Sequence, residues 1–263
     1  MKSQYFKLFA FVALLLSVGL ACSFLTGPAA TEAPAVEEPP VAEQPQAEEP
    51  ASEPTEAPVA TEPPAPESSA QDFFTEEFDG DISNWSRYDV TGSKETNPDG
   101  LTLAVEDSRL SFEFDTKQLY TYLFYQPFEY ENVAVEARVE NRGTNNNNIS
   151  LICRYSDEGW YEFNIANNGL YNILYGFVAK GGDISYARIA DGGSNKIKSG
   201  KDVNVYKIVC RDRKLSLYIN ETETRVIEDN NYVLRKGLVG ISVSSFNDLP
   251  VKVEYDWVTI SEP

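Results

Sequence analysis

Apolar and polar residues alternate with period two from Leu101 to Ile260, in short runs broken by Gly, Asn and Asp. Successive side chains of a strand point to opposite faces, so this alternation predicts half-buried β-strands. Leu101–Val105 and Leu110–Phe114 flank a turn-like Glu106-Asp107-Ser108. Val133–Val139 alternates strictly, and Ile149–Tyr155, Trp160–Ile165 and Leu170–Val178 follow. Asp157-Glu158-Gly159 and Asn167-Asn168-Gly169 read as tight hairpin turns between them. Further strands are predicted over Ile184–Ile189, Val203–Arg211, Leu215–Asn220, Thr224–Ile227, Leu238–Val243 and Val251–Ile260. No window sustains an i, i+3, i+4 apolar pattern, so helices are not expected. The fold class is all-β, two packed antiparallel sheets of a dozen or more short strands.

The N-terminal part breaks this pattern. Lys2 and Lys7 frame the start, Leu8–Leu20 is almost wholly apolar, and Ala21-Cys22 follows. That is the layout of an export signal, and it resembles a bacterial lipoprotein signal in which Cys22 is lipidated and becomes the first mature residue. An ordinary secretory signal cut nearby is the alternative. From 27 to 70 the chain holds eleven of its fifteen prolines and ten glutamates, with no Lys, Arg or aromatic residue. Such a stretch has too little apolar surface to offset the entropy of ordering, so a disordered, extended tether is expected. At about 3.1 Å per residue it could reach roughly 140 Å. The expected organisation is a signal peptide over 1–21, a lipidated cysteine and linker over 22–71, and a β-sandwich over 72–263. The expected location is the extracytoplasmic side of a bacterial membrane, touched only through the lipid.

Charge narrows the partners. The whole chain carries −19; the tether holds −10 of this and the leader +2, which leaves −11 on the sandwich. Nucleic acid is not an expected partner, because neutralising phosphates takes clustered Lys and Arg. The chain has no histidine, which removes the commonest general base and most zinc sites. With Cys22 assigned to the lipid, Cys153 and Cys210 form an even pair in an exported chain, and a disulfide between neighbouring strands or between sheets is expected. Two buried free thiols are the alternative.

The order of elements resembles the concanavalin A-like jelly rolls, in particular the LamG-like branch of the 3-keto-disaccharide hydrolase type. The residues that carry this are Phe74, Phe78-Asp79 and Trp85 at the start, Leu215-Ser216-Leu217-Tyr218-Ile219-Asn220, Gly237–Ile241 and Tyr255-Asp256-Trp257-Val258. Glu221 stands where the resemblance has a glycine after Asn220, so a different turn type is expected there. The resemblance implies a jelly roll and, by its name alone, a glycoside-processing activity, for which Glu162 or Asp183 could act as base. Related sandwiches also suggest a structural calcium near the termini, with Asp79 and Asp256 as the main candidates beside Glu77 and Asp81. The E-x-D-x-x-E strand of laminarinase-type glycosidases is absent. Glu113-Phe114-Asp115 meets Gln118, and Glu254-Tyr255-Asp256 meets Thr259, so the acid/base partner of a retaining mechanism is missing.

Parity on the Trp160 strand sends Tyr161, Phe163 and Ile165 to one face and Trp160, Glu162 and Asn164 to the other. Arg154 shares a phase with Ser150 and Ile152. If the apolar set fills the core, Arg154, Trp160, Glu162, Asn164 and Tyr171 form a polar–aromatic strip suited to a glycan. The alternative reading is that Trp160 caps a hairpin and the rest are ordinary surface. Tyr120, Tyr122 and Phe124 share a face that core packing would explain. The expected function is a non-catalytic carbohydrate- or cell-wall-glycan-binding sandwich. The alternatives are a glycoside-processing enzyme and a structural or protein-binding sandwich.

Overall fold

The computed structural model describes residues 72–263. Cys22, the leader and the Pro/Glu stretch lie outside the described residues. Fifteen strands run in chain order: β1 (Phe74–Glu76), β2 (Trp85–Thr91), β3 (Leu101–Glu106), β4 (Arg109–Phe114), β5 (Leu119–Tyr125), β6 (Val133–Asn141), β7 (Asn147–Ser156) and β8 (Gly159–Ala166). Then come β9 (Leu170–Val178), β10 (Ile184–Gly193), β11 (Val203–Arg211), β12 (Lys214–Ile219), β13 (Thr222–Glu228), β14 (Leu238–Ser245) and β15 (Val251–Ser261). The described residues contain no helix. The twelve runs predicted from alternation are all strands; β1, β2 and β5 join them.

Every pairing is antiparallel, and the strands form two sheets. The first runs β13-β12-β11-β6-β15-β4-β3, with β1 on the far half of β15. The second runs β10-β9-β8-β7-β14-β5-β2. One parity of each strand turns inward to a shared core. Phe112, Val135, Ile208, Leu217 and Val253 of the first sheet meet Leu151, Phe163, Ile173, Ile241 and Leu123 of the second, all 0–1% exposed. Each large side chain so buried contributes about 1.5–3 kcal/mol, which makes this layer the source of the fold's stability.

Cys153 on β7 and Cys210 on β11 are disulfide-bonded with their Cα atoms 6.7 Å apart, so the bond joins the sheets rather than adjacent strands. With 57 residues of separation, the chain-entropy model gives about 4 kcal/mol of stabilisation. The turn after β12 departs from expectation. Asn220 and Glu221 have φ of 47° and 66°, both positive, as in the two-residue turns that suit hairpin twist. Glu221 adopts the left-handed conformation without being glycine.

The outer face of the first sheet is laced with ion pairs. Arg109 reaches Glu140 at 3.0 Å and Glu254 at 3.3 Å, and Arg142 reaches Glu254 at 2.7 Å. Asp256 is bonded by Arg138 and lies 3.5 Å from Arg109. This corrects the calcium expectation. Asp256 is taken by two arginines, while Glu77, Asp79 and Asp81 are exposed. Among the described residues no group of three or more His, Cys, Asp or Glu side chains is placed to hold a metal.

Candidate functional site

The outer face of the second sheet does not behave as an ordinary surface. β8 alternates as its sequence dictates: Tyr161, Phe163 and Ile165 enter the main core, and Trp160, Glu162 and Asn164 point away from it. Yet these three are only 3%, 2% and 7% exposed. Neighbouring strands explain the burial. Tyr122, Phe124, Ile152 and Trp160 form a second, smaller apolar cluster, edged by Tyr120, Tyr155, Ile184 and Leu238. Tyr155 stacks on Phe124 with centroids 3.9 Å apart, and Trp160 meets Tyr155 at 5.6 Å and Tyr186 edge-on at 6.0 Å.

Two glycines make this packing possible. Trp160 faces Gly176 across the β8–β9 ladder, where an added Cβ would lie 2.2 Å from the indole. Gly240 sits against the Phe124 ring, where a Cβ would come within 2.7 Å. The rings therefore lie down on the sheet instead of standing off it. The crevice left among Tyr88, Tyr122, Phe124, Tyr155, Trp160, Val178 and Ile184 is about 20 Å3, room for one water.

Glu162 sits within this cluster. Its carboxylate accepts from Ser150 Oγ at 2.8 Å, Trp160 Nε1 at 3.2 Å, Asn164 Nδ2 at 3.3 Å and Tyr122 OH at 3.3 Å. Tyr122 donates to Glu162, so the 2.5 Å contact between the Tyr122 and Tyr186 hydroxyls runs from Tyr186 to Tyr122. Burial raises the Glu162 carboxyl above its ordinary value, and the four donors offset part of that rise. Burial also raises both phenols, reinforced by the Glu162 charge, so they remain protonated donors.

Register extends the polarity beyond Glu162. Tyr88, Tyr122, Ser242, Ser150, Asn164, Asn172 and Asp191 oppose one another in turn, one from each strand across the whole sheet. Ser242 Oγ is buried and has no hydrogen-bond partner among the described residues. Tyr88, at the β2 end of the row, and Tyr186, on the opposite edge strand, are 44% and 40% exposed.

Two of the expected strip residues lie elsewhere. Arg154 has a φ of 58° within an irregularity between Cys153 and Ser156, which breaks the alternation and turns the side chain off the face. Its guanidinium donates to the carbonyls of Glu131, Asp212 and Leu234 at 2.8–3.0 Å, tying three loops together. Tyr171 opposes Ile165 and belongs to the main core. Tyr122 and Phe124 were expected in the main core and instead build the outer cluster. Sequence reading also missed Tyr186, Ser242 and Asn172; the hairpin lengths that bring them into the row carry no chemical signal of their own.

The fold is that of a concanavalin A-like jelly-roll sandwich. Similar solved structures include the Bacteroides ovatus mixed-linkage glucan GH16 protein in complex with a G4G4G3G product, at 9% identity and TM-score 0.53 over 72% of this chain and 99% of that one. The Bacillus licheniformis β-glucanase is similar at 12% identity and TM-score 0.52, covering 74% and 100%. A Bacillus subtilis protein of unknown function with a galectin-like fold gives 11% and 0.54, covering 72% and 94%. At these identities the likeness shows the fold alone. Neither a family model nor a curated protein sequence matches the chain.

Proposed function

We propose that the sandwich is a non-catalytic carbohydrate-binding module, displayed from a membrane by a lipidated Cys22 and the Pro/Glu tether. One observation carries this reading: exposed Tyr88 and Tyr186 stand on opposite edge strands of the second sheet, which a row of hydroxyl and amide side chains crosses. Sugar rings lay C–H faces on aromatics while their hydroxyls reach polar neighbours. Tyr88 and Tyr186 offer the aromatic faces and the half-buried Asn172 and exposed Asp191 the reachable polar groups, while Ser150, Ser242 and Asn164 are buried. Trp160 is too buried to stack on a ligand directly; it holds Tyr186 and Glu162 in place. The lone Glu162 supports binding over hydrolysis. Four donors already engage its oxygens, and the E-x-D-x-x-E strand that pairs the carboxylates of laminarinase-type glycosidases is missing from the sequence.

Titration calorimetry with glucan oligosaccharides tests the reading. Binding should be lost in Tyr186→Ala, with a preserved near-ultraviolet spectrum showing that the fold is intact. No binding to any neutral or cell-wall glycan would leave a structural or protein-binding role instead. A second reading, a 3-keto-disaccharide hydrolase, draws on the buried carboxyl of Glu162, which burial raises above its ordinary value and so makes a stronger base than a solvated carboxylate. Turnover of 3-keto disaccharides that vanishes in Glu162→Gln would establish it over the first.

A further inference from the structure

The opposite outer face carries a groove that the proposed function does not use. It lies on β11, β12 and β13 of the first sheet and encloses about 820 Å3, within the usual range for small-ligand sites. Its floor follows the register. Arg211 opposes Lys214 at one end, Val209, Ser216 and Val226 form the middle, and Tyr218 closes the row beyond. Val226 is 39% exposed, which leaves an apolar patch open on the groove floor.

Charge is distributed unevenly along this groove. Lys207 lies 3.5 Å from Glu136, Glu223 accepts from Tyr218 OH at 2.9 Å, and Glu228 pairs with Arg213 at 2.7 Å. Elsewhere on the sheet Arg109, Arg138, Arg142 and Lys252 all reach carboxylates. The side chains of Arg211 and Lys214 have no ion pair or hydrogen bond among the described residues. Glu228 opposes Lys214 in the β12–β13 register but is taken by Arg213. In a sandwich carrying −11, the two cations left at the mouth of an open groove call for an anion from outside.

We infer that this groove is a second binding site, for an acidic oligosaccharide whose carboxylate meets Arg211 and Lys214 while its ring faces lie on Val209, Val226 and Tyr218. A pyranose suits the floor because its C–H faces are apolar and its hydroxyls point sideways, toward Ser216 and the acids at the rim. An acidic peptide suits it poorly. β11 and β12, which make most of the floor, are interior strands whose amides are spent in ladders on both sides, so a peptide backbone could pair only along the outer edge of β13. The site stands independently of the glycan face on the second sheet.

Titration calorimetry with tetragalacturonate, cellotetraose and tetra-aspartate on the intact chain tests it. Tetragalacturonate should bind, and Arg211→Glu with Lys214→Glu should weaken it at least about tenfold. Tyr218→Ala should also weaken it, while Tyr186→Ala on the other face should leave it unchanged. Lys214→Ala, at an exposed position, serves where the double reversal disturbs the fold. The inference is overturned by no tetragalacturonate binding at millimolar concentration, by binding indifferent to Lys214, or by equal binding of tetra-aspartate. Loss in Tyr186→Ala would place the ligand on the second sheet and overturn it too, without touching the neutral-glycan reading.

Discussion

Arg154 and Glu162 sit on adjacent strands and are equally buried, each 2% exposed, yet they are held in opposite ways. Every partner of Arg154 is a backbone carbonyl, drawn from three loops. Every partner of Glu162 is a side chain on one sheet face. Backbone partners can leave only if loops move, so Arg154 acts as a structural clamp. Side-chain partners can turn toward a ligand with the backbone fixed, so Glu162 belongs to a surface able to respond. Burial alone does not distinguish a structural charge from a functional one; the identity of its partners does.

The largest test of that contrast is the bond beside the clamp. Cys153→Ser with Cys210→Ser should lower stability by about 4 kcal/mol in urea unfolding. Hydrogen exchange should then quicken around Glu131, Asp212 and Leu234 more than around Glu162. Equal loosening of both regions would erase the distinction. Arg154→Met should cost about 3 kcal/mol, because it leaves three carbonyls without a donor. That loss should leave glycan affinity nearly unchanged in the molecules that remain folded.

Glu162→Gln should cost about 1 kcal/mol at pH 4, where the native carboxyl is protonated and the amide adds a misplaced donor. Its pH dependence is more telling. The folded carboxyl binds its proton more tightly than the unfolded one, whose ordinary value is 4.5, so its contribution worsens as pH rises from there through the folded value. The native protein should lose stability across that window, and Glu162→Gln should flatten the loss. Asp229 works in the opposite sense. Burial opposes its charge, but bonds from Tyr161 and from the amides of Asn231, Val233 and Tyr232 outweigh this and lower its carboxyl. Its stabilising term holds above the ordinary 3.8 and fades as pH falls through the folded value. Tyr186→Phe makes the smallest change, about 0.5 to 1 kcal/mol, since it removes one hydroxyl from the chain leading to Glu162. A sugar affinity lowered more than stability would separate rim from scaffold.

Alternation made most of the strands legible, because burial on one side of a sheet forces a two-residue period. It also separated Trp160, Glu162 and Asn164 from Tyr161, Phe163 and Ile165. It failed at Arg154, where a positive φ interrupts the period and leaves no mark in residue type. It failed again at Leu119–Tyr125. Both parities of that strand are apolar, so nothing in the run tells which side meets the main core and which the outer cluster. Tyr171 was misplaced for a third reason: its face depends on the register across the β8–β9 turn, which pairs it with Ile165. The disulfide was legible from cysteine arithmetic, though not its span from one layer to the other.

Gly176 gives the buried indole a consequence of its own. The Trp160 ring occupies the volume that any side chain at 176 would claim, so Gly176→Ala would force the ring to swing outward. A single methyl group would then act as a wedge, converting a sealed aromatic seam into an open trough. The least reactive residue on this face thus sets how wide its mouth can be.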